Sequence, residues 1–380
     1  MKNIIFHFPM KINEEYISGT MIRPKRMKEA FEKIGYKVYP VIGSSMERAK
    51  AISEIKNLIN SGHKFEFLYS ESANFPTILL DEDHIPRHPF LDFNFFRFVK
   101  AHKIPIGLFY RDIYWRFETY KKEVNIFKRL ISVPLFLYDL FNYKLYVDIL
   151  FVPSQSFANY IPISFDKKKL YPLPPGCTIP DKQNYSYIKT QNFLRVLYIG
   201  NIAPPDYDIS ILFKIAKYFE TSKKINFLIS CPADSWNKWS SYYLSIVDGK
   251  MPLNMSLFHK KPEELDDLYF NSDLFFIPIN DEYSKIASKI KFYEAIGYGV
   301  PVLVAVNGES ELGNFVKREN VGWVVEYSEE KVMQFLSYIL SNPQEVKVKK
   351  ENVIKIREKH TWEERARLVA HLLTSEVYRE

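Results

Sequence analysis

The chain has 380 residues, a formal net charge of +7, and 47% hydrophobic and 16% aromatic residues. This length is enough for two domains with cores of their own, and the hydrophobic content excludes a disordered chain. No apolar run reaches 18 residues, so the sequence predicts no transmembrane helix. The first residues read as a buried strand rather than as a signal peptide.

The cysteine content and the net charge limit which cellular compartment and which kinds of binding partner the sequence favours. Cys177 and Cys231 give neither a disulfide framework nor metal-ligand spacing, which predicts a reducing, cytoplasmic compartment. A basic, aromatic-rich chain suits either nucleic acid or an anionic membrane surface. Because no RRM, KH, zinc-finger or helix-turn-helix signature occurs, we expect no nucleic-acid partner.

The first half alternates short apolar runs with helical patterns, which predicts βαβ units and a parallel sheet. Helices are expected over 23–35 and around 46–60. The predicted strands of this half are 3–8, 36–41, 65–70, 104–110 and 148–153.

Segment 115–146 differs from its surroundings because basic residues are interleaved with large apolar ones, and Pro134 is expected to kink any helix there. This composition is typical of a helix that lies in a membrane interface, and a packed pair of core helices is the alternative. The basic residues are Lys121, Lys122, Lys128, Arg129 and Lys144; the apolar ones include Phe127, Leu130, Ile131, Leu135, Phe136, Leu137, Leu140 and Phe141.

The second half repeats the alternating plan after a polar stretch at 180–192. Its predicted strands are 195–200, 225–230, 254–258, 274–279, 301–306 and 322–327. The whole chain is therefore predicted to form two doubly wound units, in which ligands bind beyond the carboxyl ends of the strands.

The run SKIKFYEAIGYGVPVLV (288–304) carries the strongest functional signal. Lys291 and Glu294 are three residues apart in a predicted helix, so they share one face of it. The cation suits a diphosphate and the carboxylate suits ribose hydroxyls, as a nucleotide sugar requires. An ordinary exposed ion pair is the alternative.

This run resembles the donor-site signature of GT-B glycosyltransferases, particularly the bacterial family-4-like and glucuronosyltransferase-like enzymes of surface polysaccharide and capsule synthesis. Segments 195–202, 273–279 and 360–369 resemble the family's opening strand and glycine loop, the strand before the donor helix, and the closing helix. The resemblance implies an α/β GT-B fold with two doubly wound Rossmann-like domains facing a central cleft. The implied divisions are an acceptor-binding domain (1–185), a nucleotide-sugar-binding domain (186–358) and a helix crossing back to the first domain (359–380).

The resemblance also implies roles for single residues in the second domain. Glu294 would bind the donor ribose and Lys291 would face the diphosphate. Gly200 and Asn201 would present backbone N–H groups to the donor. His259 is the candidate for contact with the base, with an ordinary surface histidine as the alternative.

Two departures from the family pattern affect the mechanism. The Arg and Lys that often follow the glycine are replaced by NIAPPDYDIS (201–210), so the cationic role moves to Lys289 and Lys291 or to the first domain. The first-domain phosphate candidates are Arg23, Lys25 and Arg26. The first Glu of the family's E-x7-E pair would fall at Ile286, so retaining and inverting mechanisms both stay open.

An inverting transfer needs a general base, and three residues near predicted strand ends are candidates. Asp112 is the first, although Arg111 beside it would neutralise it under the alternative interpretation. Glu71 is the second and His7 is the third. Segment 18–27 resembles the mobile first loop of the family, with Gly19 as its turning point. The DED run at 81–83 lies in a Pro/His-rich loop, and we expect no metal and no cofactor.

The sequence thus predicts a glycosyltransferase that moves a hexosyl or glucuronosyl group from a nucleotide sugar, most simply a UDP-sugar, to a glycan or a lipid-linked precursor. We expect it in the cytoplasm, in peripheral contact with the anionic inner face of the cell membrane. The alternative is a catalytically inactive GT-B subunit that binds glycan or supports a partner glycosyltransferase. An oxidoreductase is excluded because no G-x-G-x-x-G follows a predicted strand.

Overall fold

The structure, a computed structural model, describes residues 1–12, 19–181 and 193–375. The chain divides into two compact units. Unit 1 contains Met1–Pro175 together with the C-terminal segment that begins at Trp362, and unit 2 spans Gly176–Thr361. Each unit is built around one six-stranded sheet.

The sheet of unit 1 has the order β2-β1-β3-β4-β5-β6, and all its neighbouring strands are parallel. Five of the six strands match predicted ones. The sixth is a three-residue edge strand for which the sequence offers no apolar run. The strands are β1 (Lys2–Phe8), β2 (Tyr36–Ile42), β3 (Leu68–Glu71), β4 (Ile106–Phe109), β5 (Ile149–Val152) and β6 (Leu170–Pro172).

Apart from the C-terminal helix, the α-helices described in unit 1 connect its strands, as a parallel sheet requires. The helices of unit 1 are α1 (Gly19–Lys33), α2 (Ser45–Asn60), α3 (Leu91–Ala101), α4 (Glu118–Glu123), α5 (Ile126–Tyr146), α6 (Gln155–Ala158) and the C-terminal α15 (Trp362–Thr374). The prediction of a mobile loop at 18–27 is wrong for residues 19–27, because α1 begins at Gly19 and the residues after it are helical. Ser18 lies outside the described residues, as do residues 182–192 of the polar stretch at 180–192.

Helix α15 packs against α1 and β4 of unit 1. Trp362 at its start is buried. Gly107 in β4 permits the close approach, since a Cβ there would lie 2.8 Å from a methyl carbon of Leu373. The Nε of Arg365 donates to the carbonyl oxygens of Pro174 and Pro175, at 3.1 and 3.2 Å. The helix is therefore an integral part of unit 1.

The sheet of unit 2 has the order β12-β11-β10-β7-β8-β9 and is also parallel throughout. Its strands are β7 (Leu194–Ile199), β8 (Ile225–Ser230), β9 (Met255–Phe258), β10 (Leu274–Ile279), β11 (Val302–Val306) and β12 (Gly322–Val325). Its helices are α7 (Ser210–Phe219), α8 (Ala233–Ser245), α9 (Asp266–Phe270), α10 (Glu282–Ile286), α11 (Ile290–Gly297), α12 (Glu311–Glu319), α13 (Glu329–Ser341) and α14 (Gln344–Ile356).

Two apolar clusters cover the two faces of this second sheet. One joins the strands to α7 and α13, and the other joins them to α11 and α12. Strands that are buried on both faces read as continuous apolar runs, as the VLVAV of β11 does with all five residues buried. Because these strands are packed on both faces, they fix the positions at which the loops at their carboxyl ends begin.

Segment 115–146 forms α4 and α5, and α5 continues through Pro134. The inner side of α5 packs into unit 1, since Phe136, Leu140 and Tyr143 are buried. Within the described residues, no helix is long and apolar enough to cross a bilayer.

Candidate functional site

The carboxyl edge of the unit 2 sheet has a topological switch point between β7 and β10. The chain leaves β7 towards β8 on one side and leaves β10 towards β11 on the other. Open α/β sheets bind ligands at such points, because the loops diverge there and leave a crevice. The two loops touch at its rim, where the Nδ2 of Asn280 donates to the carbonyl oxygen of Pro205 at 3.3 Å.

The loop after β7 has a fixed shape. The N–H of Gly200 donates to the carbonyl oxygen of Ser230 at 3.0 Å, and the hydroxyl of Tyr198 donates to the carbonyl oxygen of Asn201 at 2.5 Å. The Oδ1 of Asn201 accepts from the N–H of Ile202 at 2.8 Å and from the hydroxyl of Ser235 at 2.6 Å. The Asn201 side chain therefore organises this loop, and segment 201–210 contains no Lys or Arg.

Helix α11 has two lysines at its N-terminus, where the helix dipole adds positive potential. Lys289 is the N-cap residue and Lys291 lies in the first turn. Burial lowers the pKa of Lys289, and the carboxylate of Asp281 offsets part of this effect. A phosphate group would add a second negative charge to that of Asp281 and would favour the ammonium form of Lys289 further.

Lys291 and Glu294 form the pair that their spacing predicts. The Nζ of Lys291 lies 2.8 Å from the Oε2 of Glu294, and the two side chains are 23% and 22% exposed. The same oxygen accepts a hydrogen bond from the hydroxyl of Tyr269 at 3.2 Å. Among the described residues none bonds the other carboxylate oxygen, Oε1. Glu294 is thus held in place with one oxygen available as an acceptor.

Tyr269 is a contact that sequence reasoning missed. It is only 1% exposed, and its ring stacks on that of Tyr298 with centroids 4.5 Å apart and planes at 12°. The hydroxyl of Tyr298 bonds in turn to the carboxylate of Asp266. Tyr269 of α9, stacked on Tyr298 at the C-terminal end of α11, therefore supports Glu294. The only sequence signal was the pair of tyrosines itself, which is typical of any core.

His259 follows β9 at the same edge of the sheet and is exposed. Its Nδ1 lies 2.9 Å from the carbonyl oxygen of Cys231. Because a carbonyl oxygen only accepts, Nδ1 carries the proton and Nε2 is the acceptor of the neutral ring. The imidazole is therefore oriented by the end of β8.

Glu71 does not have the surroundings of a general base. It is fully buried, with Arg111 Nη2 donating to its Oε2 at 2.9 Å and the hydroxyl of Tyr69 donating to its Oε1 at 3.0 Å. The Nε of Arg23 lies 3.2 Å from Oε1. Two hydrogen-bond donors, the neighbouring Arg23 cation and the lack of solvent exposure indicate a structural carboxylate.

Arg23, predicted as a phosphate candidate, belongs to this same cluster. It is 1% exposed, and its guanidinium carbon lies 3.5 Å from the centroid of the Phe109 ring. A phosphate has no access to it in this arrangement. Arg26, another of the three candidates, is exposed on α1, and its Nη1 lies 3.2 Å from the Oε2 of Glu29, one helical turn away.

His7 is also a core residue, 2% exposed. Its Nδ1 bonds to the hydroxyl of Ser70 at 2.8 Å and its Nε2 to the carboxylate of Asp92 at 2.9 Å. Burial lowers the pKa of His7, and the bond to Asp92 offsets only part of the effect. Asp92 also accepts two bonds from Arg48, each 2.8 Å long. These contacts describe a buried network that joins β1, α2 and α3.

Asp112 is the one base candidate with an accessible side chain. It is half-buried, just beyond the end of β4, and its Oδ1 accepts the N–H of Tyr114 at 2.7 Å. The guanidinium of its neighbour Arg111 donates to Glu71. Asp112 is therefore compatible with proton transfer in a way that Glu71 and His7 are not.

The acidic run at 81–83 has local structural partners. Asp81 accepts from the backbone N–H and the hydroxyl of Ser45, and Asp83 pairs with Arg87. The hydrogen bond from Arg87 lowers the pKa of Asp83 to about 2. Within residues 1–12, 19–181 and 193–375, no three His, Cys, Asp or Glu side chains are grouped to hold a metal.

No protein-family model and no curated protein matches the sequence. Solved structures match the fold over nearly the whole chain. HepE from Anabaena, in complex with UDP and glucose, has a TM-score of 0.63 and 10% identity, covering 98% of this chain and 100% of its own. WaaG, a glycosyltransferase involved in lipopolysaccharide biosynthesis, has a TM-score of 0.61 and 14% identity over 98% and 100%. A glycosyltransferase from Rickettsia africae has a TM-score of 0.62 and 11% identity over 99% of each chain. The chain therefore has the two-domain α/β fold of GT-B glycosyltransferases.

Proposed function

We propose that this protein is a glycosyltransferase that uses a nucleotide sugar, most simply a UDP-sugar, as its donor. The observation that carries the proposal is the grouping at the carboxyl edge of the unit 2 sheet. Two lysines stand at the N-terminus of α11, and beside them Glu294 is held with one free acceptor oxygen. HepE was crystallised with UDP and glucose, which supports UDP as the first nucleotide to test.

Each group has a defined task in this proposal. Glu294 accepts hydrogen bonds from the ribose hydroxyls, and His259 contacts the base. Lys289 and Lys291 stabilise the diphosphate together with the N-terminus of α11. Gly200 lets the backbone approach the donor closely. The two lysines replace the missing cations of the 201–210 loop.

The transfer forms a bond between an acceptor hydroxyl oxygen and the anomeric carbon of the donor. The bond from that carbon to the diphosphate breaks, and its electron pair leaves with UDP. In an inverting reaction a base removes the hydroxyl proton, and we assign this role to Asp112 because its side chain is accessible. The positive groups on α11 stabilise the charge that develops on UDP.

We propose a hexosyl or glucuronosyl group as the transferred sugar and a surface polysaccharide or its lipid-linked precursor as the acceptor. A lipid-linked acceptor would be presented at the inner face of the cell membrane, which agrees with the localisation expected from the sequence.

The test is release of UDP from a panel of UDP-hexoses and UDP-glucuronate, with and without a lipid-linked glycan fraction. We expect acceptor-dependent release with one donor, and its loss in Asp112→Asn while UDP still binds. UDP binding without turnover on any acceptor would instead favour the inactive-subunit alternative. A changed sugar that stays attached to UDP would exclude transfer as the activity.

A further inference from the structure

Helix α5 carries an apolar stripe on the side opposite its buried face. Each residue of this stripe is between 54% and 73% exposed. At about 100° per residue, these five positions fall within an arc of roughly 100° and therefore share one side of the helix. We call this set the outer stripe; it consists of Phe127, Leu130, Ile131, Phe141 and Leu145.

Cations border the outer stripe. At 100° per residue, Lys128 and Lys144 lie roughly 100° to either side of it, and both are exposed. Residues 115–146 contain six basic residues and three acidic ones, and one of the acids, Asp139, is buried on the inner side of α5. The solvent side of this segment is therefore both apolar and positive.

The helix is held firmly against unit 1 from its inner side. The rings of Trp115 and Phe136 stack with centroids 5.2 Å apart and planes at 2°. The Oδ2 of Asp139 accepts the N–H of Thr77 at 2.7 Å. These contacts leave the outer stripe as a preformed surface, so binding to it needs no ordering of α5.

We propose that the outer stripe docks on an anionic lipid bilayer, with α5 lying in the plane of the interface. Large apolar side chains would enter the boundary between headgroups and acyl chains, while Lys128 and Lys144 reach the lipid phosphates. Exposed contiguous apolar surface of this kind marks an interaction site. The cations select the occupant: they complement anionic headgroups, whereas a second copy of the chain would bring like charges together.

This proposal concerns a surface of unit 1 and does not depend on the nucleotide site. A failure of UDP binding would leave it untouched, and a failure of membrane docking would leave the donor site untouched. If both hold, the docked enzyme would meet its lipid-linked acceptor by diffusion in two dimensions.

The test is flotation of the full-length protein with vesicles of phosphatidylcholine containing about 30% phosphatidylglycerol. We expect wild type to float with these vesicles, and the double variant Phe127→Ser/Ile131→Ser to bind at least roughly tenfold more weakly, because two exposed apolar anchors are lost. The matched control is Leu253→Ser, which removes a side chain that is 90% exposed on unit 2. That control should bind like wild type.

The charge part of the proposal has its own variant. Lys128→Gln/Lys144→Gln should weaken binding to the anionic vesicles by roughly tenfold and leave the weak binding to pure phosphatidylcholine unchanged. Added salt should weaken wild-type binding as well. Since all four substituted side chains contact solvent, unchanged circular dichroism and melting temperature will verify that the variants fold.

Three results would overturn the proposal. The first is no flotation of wild type with anionic vesicles. The second is equal binding by wild type and both double variants. The third is a wild-type dimer that Phe127→Ser/Ile131→Ser dissociates, which would make the outer stripe a contact between two copies.

Discussion

Ionisation of the buried Asp139 should lower the free energy of unfolding of unit 1 as the pH rises towards 7. Its side chain is buried on the inner side of α5, where Oδ2 accepts from the N–H and hydroxyl of Thr77 at 2.7 and 3.0 Å. The other oxygen, Oδ1, has no hydrogen-bond partner among the described residues. Burial raises the pKa of Asp139 to about 7, with Asp92 adding to the effect and the bonds from Thr77 opposing it.

The direction and the magnitude of this pH effect on stability follow from the linkage between proton binding and folding. In the unfolded chain Asp139 has its ordinary pKa of 3.8, so between pH 3.8 and about pH 7 the folded state binds the proton more tightly. The free energy of unfolding therefore falls as the pH rises through this window, and the contribution of protonated Asp139 is fully lost above it. The difference between the two pKa values corresponds to roughly 4 kcal/mol. This is an upper figure, because structural relaxation reduces it.

Asp139→Asn removes the titration and keeps an oxygen for Thr77. We expect the variant to match wild type near pH 4 and to exceed its stability above pH 7 by up to roughly 4 kcal/mol. Hydrogen exchange of the α5 amides across about pH 4.5 to 8 measures this stability within unit 1. Asp234→Asn, at an exposed position on α8, is the matched control. Parallel pH profiles for wild type and Asp139→Asn would refute the reasoning.

Three further outcomes are expected. Tyr269→Phe removes the hydroxyl that positions Glu294, so UDP affinity in calorimetry should fall by roughly tenfold; unchanged affinity would mean that the tyrosine only packs. Glu71→Gln leaves the buried Arg23 and the half-buried Arg111 without their carboxylate, so urea unfolding should show that the free energy of unfolding of unit 1 falls by roughly 3–5 kcal/mol, with UDP affinity unchanged. Lost turnover at normal stability would restore Glu71 as the base. Truncation before Trp362 should lower the melting temperature, since α15 covers α1 and β4; an unchanged melting curve would contradict that role.

The strands were predictable because parallel strands buried on both faces must be continuous apolar runs. The predicted 225–230 coincides with β8, and the predicted 274–279 coincides with β10. Strand β6 was missed since an edge strand of three residues, Leu170–Pro172, has no such run. The pairing of Lys291 with Glu294 was predictable once their segment was interpreted as a helix, because side chains three residues apart share a helix face.

The environments of the predicted site residues were less accessible to sequence reasoning. Position at the end of a strand does not say whether a side chain meets solvent or the core, and it placed Glu71 and Asp112 in the same class. Their difference arises from α1, which brings Arg23 to Glu71 across 48 residues of sequence. Tyr269 likewise reaches Glu294 only because α9 packs beside α11. Such long-range partners follow from tertiary packing and leave no local pattern.

The central claim is that unit 2 binds the nucleotide of a sugar donor through Glu294. The most direct measurement is calorimetric titration of UDP, with GDP, dTDP and CMP for comparison, into wild type, Glu294→Ala and Glu330→Ala. Glu330 lies exposed on α13 and serves as the matched control. We predict selective binding of UDP by wild type and the control, weakened at least about tenfold in Glu294→Ala, where the ribose loses its charged acceptor. Absence of nucleotide binding by wild type, or equal UDP affinity in all three proteins, would contradict the account.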